Sequence, residues 1–87
     1  MADNKIGLVF IINGQDFPLT GVNINAPLLV AVKHVLKDSG NTGREAEEWE
    51  VRDINGVLLE KNRSPKDLGL ANGARLFLSL QVGAGGA

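Results

Sequence analysis

The residues of this 87-residue chain that could carry a reactive group stand at its C-terminal end, in Gly83-Ala84-Gly85-Gly86-Ala87. This segment has almost no side chains and cannot bury apolar surface, so we expect a flexible tail at residues 83–87. The available chemistry is that of a glycine carboxylate. Because glycine has no Cβ and tolerates unusual backbone angles, such a tail could be threaded into another protein's active site. The alternative is an unreactive, frayed end.

Other reactive groups are scarce. The chain has no cysteine, which excludes disulfides, a thiolate nucleophile and cysteine metal sites. Its one histidine, His34, cannot form a zinc site alone and is expected on the surface of a helix. The Asn-Gly pairs are typical of turns, and no glycine-rich loop joins a strand to the helix as a phosphate site requires. We therefore expect no catalytic residue, no metal site, no bound cofactor and no enzymatic activity.

Composition indicates one small globular domain, because 44% of the residues are hydrophobic and 22% are charged. A net charge of -1 gives no reason to expect nucleic acid or an anionic membrane as a partner. No apolar run approaches the roughly 18 residues of a membrane span. The acidic start, Met1-Ala2-Asp3-Asn4, does not look like a signal peptide. We expect a cytoplasmic protein that is monomeric when free.

The first half of the chain predicts a hairpin and a helix. Residues 6–12 are rich in β-branched side chains and are expected to form a strand. Asn13-Gly14 should form a tight turn, and residues 17–22 should form the return strand. Pro18 cannot donate to a sheet ladder, so the return strand should lie at an edge. With a two-residue turn, one face of the hairpin is apolar: Ile6, Leu8, Phe10, Ile12, Phe17 and Leu19.

A helix should follow. Asn25-Ala26-Pro27 is typical of a capped helix start, residues 28–37 carry apolar side chains at helical spacing, and Gly40 ends the helix. The apolar stripe consists of Leu28, Leu29, Val32, Val35 and Leu36.

The second half predicts three more strands. Residues 49–53 alternate with Trp49 and Val51 inward, Asn55-Gly56 is a turn, and residues 57–59 form a short strand. Ser64 caps a single helical turn that begins with a proline. The last strand covers residues 75–82, with inward side chains Leu76, Leu78, Leu80 and Val82. The predicted class is α+β, with a disordered N-terminus at 1–4 and one domain at 5–82.

This order of elements resembles the β-grasp fold of ubiquitin over residues 5–86, nearly the whole chain. The resemblance implies a mixed sheet of four to five strands with one main helix on one face. It depends on the Asn13-Gly14 hairpin, the helix ending at Gly40, the Asn55-Gly56 turn and a last strand followed by Gly85-Gly86. The nearer likeness is to bacterial ubiquitin-like modifiers. Those are encoded beside an activating enzyme, a conjugating enzyme and a JAB-type metallopeptidase.

The resemblance implies a mechanism in which these partners act on the tail. The activating enzyme uses ATP and magnesium to adenylate the Gly86 carboxylate, and the acyl group then passes to an enzyme nucleophile and finally to target proteins. Ala87 follows the diglycine, so cleavage between Gly86 and Ala87 by the peptidase is expected first. The resemblance leaves the targets, and an amide or ester linkage, open.

Alternation also suggests partner surfaces. Val9, Ile11 and Phe77 should form an exposed apolar patch on the outer sheet face if the first and last strands are neighbours. Scattered surface residues are the simpler interpretation. Arg52 occupies the position that resembles the centre of ubiquitin's apolar patch, so proteins that bind that patch of ubiquitin should not bind this chain. Gln81 replaces a tail arginine of ubiquitin, which implies a dedicated activating enzyme.

Two other functions stay open. One is a sulfur carrier of the ThiS or MoaD kind, in which the adenylated end becomes a thiocarboxylate. The other is a ubiquitin-like binding domain with an inert tail. Lysines 5, 33, 37, 61 and 66 could accept another copy's tail, although surface solubility is the stronger explanation for every one of them.

Overall fold

The structure is a computed structural model that describes residues 4–81. Its elements are β1 (Lys5–Ile12), β2 (Gln15–Asn23), α1 (Leu28–Asp38), a 3-10 helix (Ala46–Glu48), β3 (Trp49–Arg52), β4 (Leu58–Leu59) and β5 (Ala74–Leu80). The five strands lie in the order β2-β1-β5-β3-β4. Strands β1 and β5 are parallel, and the other neighbours are antiparallel. This confirms the predicted α+β class with a mixed sheet.

The hairpin of β1 and β2 forms as the sequence predicts. Asn13 and Gly14 both have positive φ, at 52° and 79°, and Ile12 pairs with Gln15, so the turn has two residues. Pro18 lies in β2 at the edge of the sheet, as predicted. The strand is longer than expected at both ends. Asn4, placed by the sequence in the N-terminal segment, accepts a hydrogen bond of 2.8 Å from the amide of Ile24.

The hairpin contains one bulge that the sequence did not predict. The register changes between Leu8, which pairs with Leu19, and Ile6, which pairs with Val22. Two β2 residues therefore oppose Gly7 alone, and one of them, Gly21, has φ of +70°. The bulge returns Val22 to the core side, where it is buried.

Helix α1 ends as predicted but begins differently. Pro27 itself is the N-cap, and no side chain within residues 4–81 caps the helix, so the expected cap by Asn25 is wrong. The amides of Leu28 and Leu29 instead donate to the carbonyls of Arg63 and Lys61, at 2.8 and 3.0 Å. At the other end Gly40, with φ of +79°, and Asn41 donate to the carbonyls of Lys37 and Leu36, the pattern of a Schellman cap.

The core lies between the inner face of the sheet and α1. Its fully buried members include Leu8, Phe10, Ile12, Leu28, Val32, Val35, Val51 and Leu76. Leu80 was predicted to face inward but is 41% exposed. The reason is register: β1 pairs with β5 only as far as Ile12 and Leu78, so β1 offers Leu80 no neighbour. Val82 lies outside the described residues.

The long connections are ordered by hydrogen bonds. Residues 41–45 lead into the 3-10 helix, whose first residue Ala46 is buried. The predicted turn at Ser64 forms, with the Asp67 amide donating to the Ser64 hydroxyl at 3.1 Å. The Lys66 amide donates to the Ile24 carbonyl at 3.0 Å, which ties this turn to the end of β2.

Candidate functional site

The expected acyl end, Gly85 and Gly86, and the expected cleavage site at Ala87 lie outside the described residues. The structure describes the base of this tail, where β5 leaves the centre of the sheet. There the Gln81 amide donates to the Glu48 carbonyl at 2.9 Å, and the Gln81 side-chain amide donates to the Glu47 carbonyl at 3.2 Å. The chain is thus fastened to the 3-10 helix immediately before the residues that lead to the diglycine.

Lys61 holds the same region together. Its ammonium group donates to the carbonyls of Glu47 at 2.8 Å and Ala46 at 3.3 Å, and also to that of Trp49. Strand β4 pairs only with Val51 and Arg52 of β3, so the Lys61 ammonium binds the Trp49 carbonyl at a position where β4 does not pair with β3. Burial lowers the pKa of Lys61, against the opposing effect of the Glu47 and Glu50 carboxylates. Among the five lysines predicted at the surface, Lys61 therefore has a structural role, because its ammonium group binds backbone carbonyls.

Trp49 lies between the tail base and Lys61. Its side chain is 6% exposed, as the predicted inward position requires, and its indole N–H has no hydrogen-bond partner within residues 4–81. A groove of about 390 Å³ borders Trp49 on the side of β4, and another of about 450 Å³ borders it on the side of Arg44 and Leu80. The tail base is therefore flanked by concave surface.

The outer face of the sheet brings the predicted partner residues into one row. The strand register places Phe77 between Ile11 and Arg52, and Arg52 next to Leu58. Phe77 is 42% exposed, Val9 and Arg52 are half-buried, and Ile11 is buried. The expected exposed patch of Val9, Ile11 and Phe77 is therefore wrong at Ile11.

A salt bridge explains the burial of Ile11. Arg75 on β5 and Asp16 on β2 flank β1 from opposite sides, and their charged groups meet at 3.2 Å. The pair must cross the outer face of β1, where Ile11 is the partner of Asp16. The two residues are 59 positions apart in the chain, and this contact could not be inferred from alternation alone.

Arg52 is anchored at the outer face, where alternation placed it. It donates to the Gly56 carbonyl at 3.0 Å and to the Glu50 carboxylate at 3.3 Å. Three apolar side chains near it, Ile54, Val57 and Leu58, are more than half exposed. Leu58 is the strand partner of Arg52 and so lies on the same outer face. Ile54 and Val57 flank the Asn55-Gly56 turn, and their signal was this turn, since residues at a hairpin tip project beyond the sheet.

Two other kinds of feature, a metal-binding cluster and a membrane-spanning helix, are not found in the described part of the chain. Within residues 4–81 no group of three or more His, Cys, Asp or Glu side chains could hold a metal ion. No helix in this range has the length and apolar character needed to cross a membrane. His34 is exposed on α1, as predicted.

Comparison with solved structures defines the class of this domain. It is similar to the solution structure of Arabidopsis thaliana At2g32350, with 12% identity, a TM-score of 0.71, and coverage of 93% of this chain and 92% of that one. It is also similar to the N-terminal ubiquitin-like domain in the 4931431F19Rik protein, with 12% identity, a TM-score of 0.74, and coverage of 99% and 84%. The fold is that of a ubiquitin-like β-grasp domain; at this identity the likeness concerns the fold alone.

Sequence comparison assigns the family. Residues 1–86 match the family described as "Protein of Unknown function (DUF2604)", and the chain belongs to this family. It is 39% identical over 83 residues to "Uncharacterized protein y4jI" of Sinorhizobium fredii, a match that covers 95% of this chain and 63% of that protein. The chain thus spans less than two thirds of the length of this curated relative.

Proposed function

We propose that this protein is a ubiquitin-like modifier that is attached to target proteins through the carboxylate of Gly86. The observation that carries the proposal is the position of the diglycine. It follows a central strand of a ubiquitin-like β-grasp sheet, only a few residues after the anchored Gln81. From Gly83 to Gly86 an extended tail would span at most about 13 Å, which suits entry into a narrow active site.

The proposed chemistry belongs to partner enzymes in the cytoplasm. A JAB-type metallopeptidase hydrolyses the peptide bond between Gly86 and Ala87. The freed carboxylate then attacks the α-phosphorus of ATP in the activating enzyme, with magnesium on the phosphates, and pyrophosphate leaves. A thiolate on the activating enzyme attacks the acyl adenylate and displaces AMP. The conjugating enzyme receives the acyl group from this thioester, and an amine or hydroxyl of the target displaces its thiolate. The modifier itself supplies the acyl end and a docking surface.

The test is intact-mass analysis of the full chain. It is incubated with ATP, magnesium and the activating enzyme, conjugating enzyme and JAB-type peptidase that the proposal requires. We expect loss of the Ala87 residue and then addition to a protein. Gly86→Ala should block the addition, and Gly83→Ala, a matched change farther from the acyl end, should preserve it.

The same experiment separates the other functions. A sulfur carrier would exchange one oxygen of the terminal carboxylate for sulfur without adding protein mass, and a binding domain would show no change. Either result would overturn the proposal. So would conjugation that survives Gly86→Ala.

A further inference from the structure

The groove between Trp49 and β4 has the features of a binding surface. Its apolar walls come from Leu29, Trp49, Leu58 and Leu59, and its rim carries Glu47, Glu50 and Glu60. Gln81, at the tail base, also lines it. We call this surface the Trp49 groove. With a volume of about 390 Å³, it has room for one or two aliphatic side chains.

The walls are available for contact. Leu58 is 52% exposed, and Leu29 and Leu59 are half-buried. Exposed leucines cost free energy in water that an apolar partner would recover. The Trp49 ring is only 6% exposed and its indole N–H is buried, so a docked segment would contact mainly the leucines.

The charge of the rim is negative. Glu47 and Glu60 are exposed, and neither carboxylate makes a hydrogen bond or ion pair within the described residues. Glu50 is bound to Arg52. The only cation that lines the groove within residues 4–81 is Lys61, whose ammonium group is directed at the carbonyls of Ala46, Glu47 and Trp49. A docked segment would therefore meet the carboxylates of Glu47 and Glu60, with the Lys61 charge offsetting part of that of Glu47.

We infer that the Trp49 groove binds an extended segment of a partner protein in which one or two aliphatic residues are flanked by lysine or arginine. The aliphatic residues would cover Leu58 and its neighbours, and the basic residues would pair with Glu47 and Glu60. Charge complementarity of this kind gives selectivity and a salt-dependent association rate. The inference does not depend on any reaction of Gly86, although the groove's position beside Gln81 would set such a partner next to the tail.

Trp49 provides the readout, because it is the chain's only tryptophan. The probe is the acetylated, amidated peptide Gly-Lys-Leu-Leu-Arg-Gly, titrated into the full chain at low salt. We expect a saturable change in Trp49 fluorescence. The double variant Glu47→Lys, Glu60→Lys should weaken binding by about tenfold or more, because several unit-charge contacts at a surface are lost. The matched control is Asp38→Lys, Asp67→Lys, which changes the same charge at exposed positions outside the groove and should leave affinity within about twofold.

Four outcomes would overturn the inference. The first is no saturable change up to millimolar peptide. The second is equal binding of Gly-Lys-Ser-Ser-Arg-Gly, which would show attraction by charge alone. The third is an equal loss of affinity in the control variant. The fourth is concentration-dependent dimerisation that buries Trp49 and excludes the peptide, which would assign the groove to a second copy of the chain.

Discussion

The ammonium group of Lys61 donates a hydrogen bond to the backbone carbonyl of Trp49, at the end of β3 that β4 does not cover. Through its own carbonyl the same lysine accepts a hydrogen bond of 3.0 Å from the amide of Leu29. Lys61 therefore joins the start of α1, the 3-10 helix and β3 at one point. A single side chain replaces the strand pairing that the two-residue β4 is too short to provide.

Lys61→Met should destabilise the domain, because it keeps most of the apolar stem but removes the donor to three carbonyls. We expect a loss of about 1–3 kcal/mol in the free energy of unfolding. Urea denaturation followed by Trp49 fluorescence measures it. Lys66→Met, at an exposed lysine whose side chain makes no hydrogen bond within residues 4–81, is the control and should change stability little. Equal effects of the two variants would contradict the role of Lys61.

The Arg75–Asp16 pair should contribute little stability, although it lies across the outer face of β1 at Ile11. The two side chains are 49% and 53% exposed, so solvent screens the pair. A double-mutant cycle with Arg75→Gln and Asp16→Asn should give a coupling of about 0.2–1 kcal/mol at low salt and less in 1 M salt. A coupling that does not respond to salt would show that the side chains interact mainly by packing on Ile11.

Glu48 should make the fold sensitive to acid. The hydrogen bond from Arg44, at 2.8 Å, and the backbone amide of Glu45 lower the pKa of Glu48 below 4.5. A carboxylate with a lowered folded-state pKa stabilises the fold above its unfolded value, and this stabilisation is lost as the pH falls through the range below 4.5. Glu48→Gln should therefore flatten the decline in urea midpoint over this range. If the variant and the parent decline in parallel, the bonds to Glu48 have no thermodynamic role. Glu60→Gln serves as the exposed control.

Gly40→Ala should weaken the end of α1. Gly40 has φ of +79°, and a Cβ added there would meet no atom of residues 4–81 within 4 Å, so the cost arises from backbone conformation rather than from a clash. We expect a loss of about 1–2 kcal/mol in unfolding free energy, measured by denaturation. Gly43→Ala is the matched control, since it also faces open space without a positive φ, and it should be nearly neutral. A Gly40→Ala variant as stable as the control would contradict this account.

Local patterns were sufficient for much of the architecture. Asn13-Gly14 set the two-residue turn and thereby the pairing of Phe10 with Phe17. Pro18 correctly marked an edge, since a residue without an amide proton cannot serve a strand paired on both sides. The start of α1 was less predictable, because its first amides are satisfied by carbonyls of Lys61 and Arg63, more than thirty residues later in the chain.

The features of the candidate site also fall into those that the sequence predicted and those that only the structure showed. The sequence by itself determined the Gly85-Gly86 diglycine, the outward position of Arg52 and the inward position of Trp49, because each depends only on residue type or on strand alternation. Only the tertiary structure decided that Asp16 and Arg75 cover Ile11, that Leu80 is exposed, and that Lys61 faces the carbonyl of Trp49. These three features involve residues that are not neighbours in the sequence. They depend on strand order, register and strand length. No local periodicity encodes those three quantities.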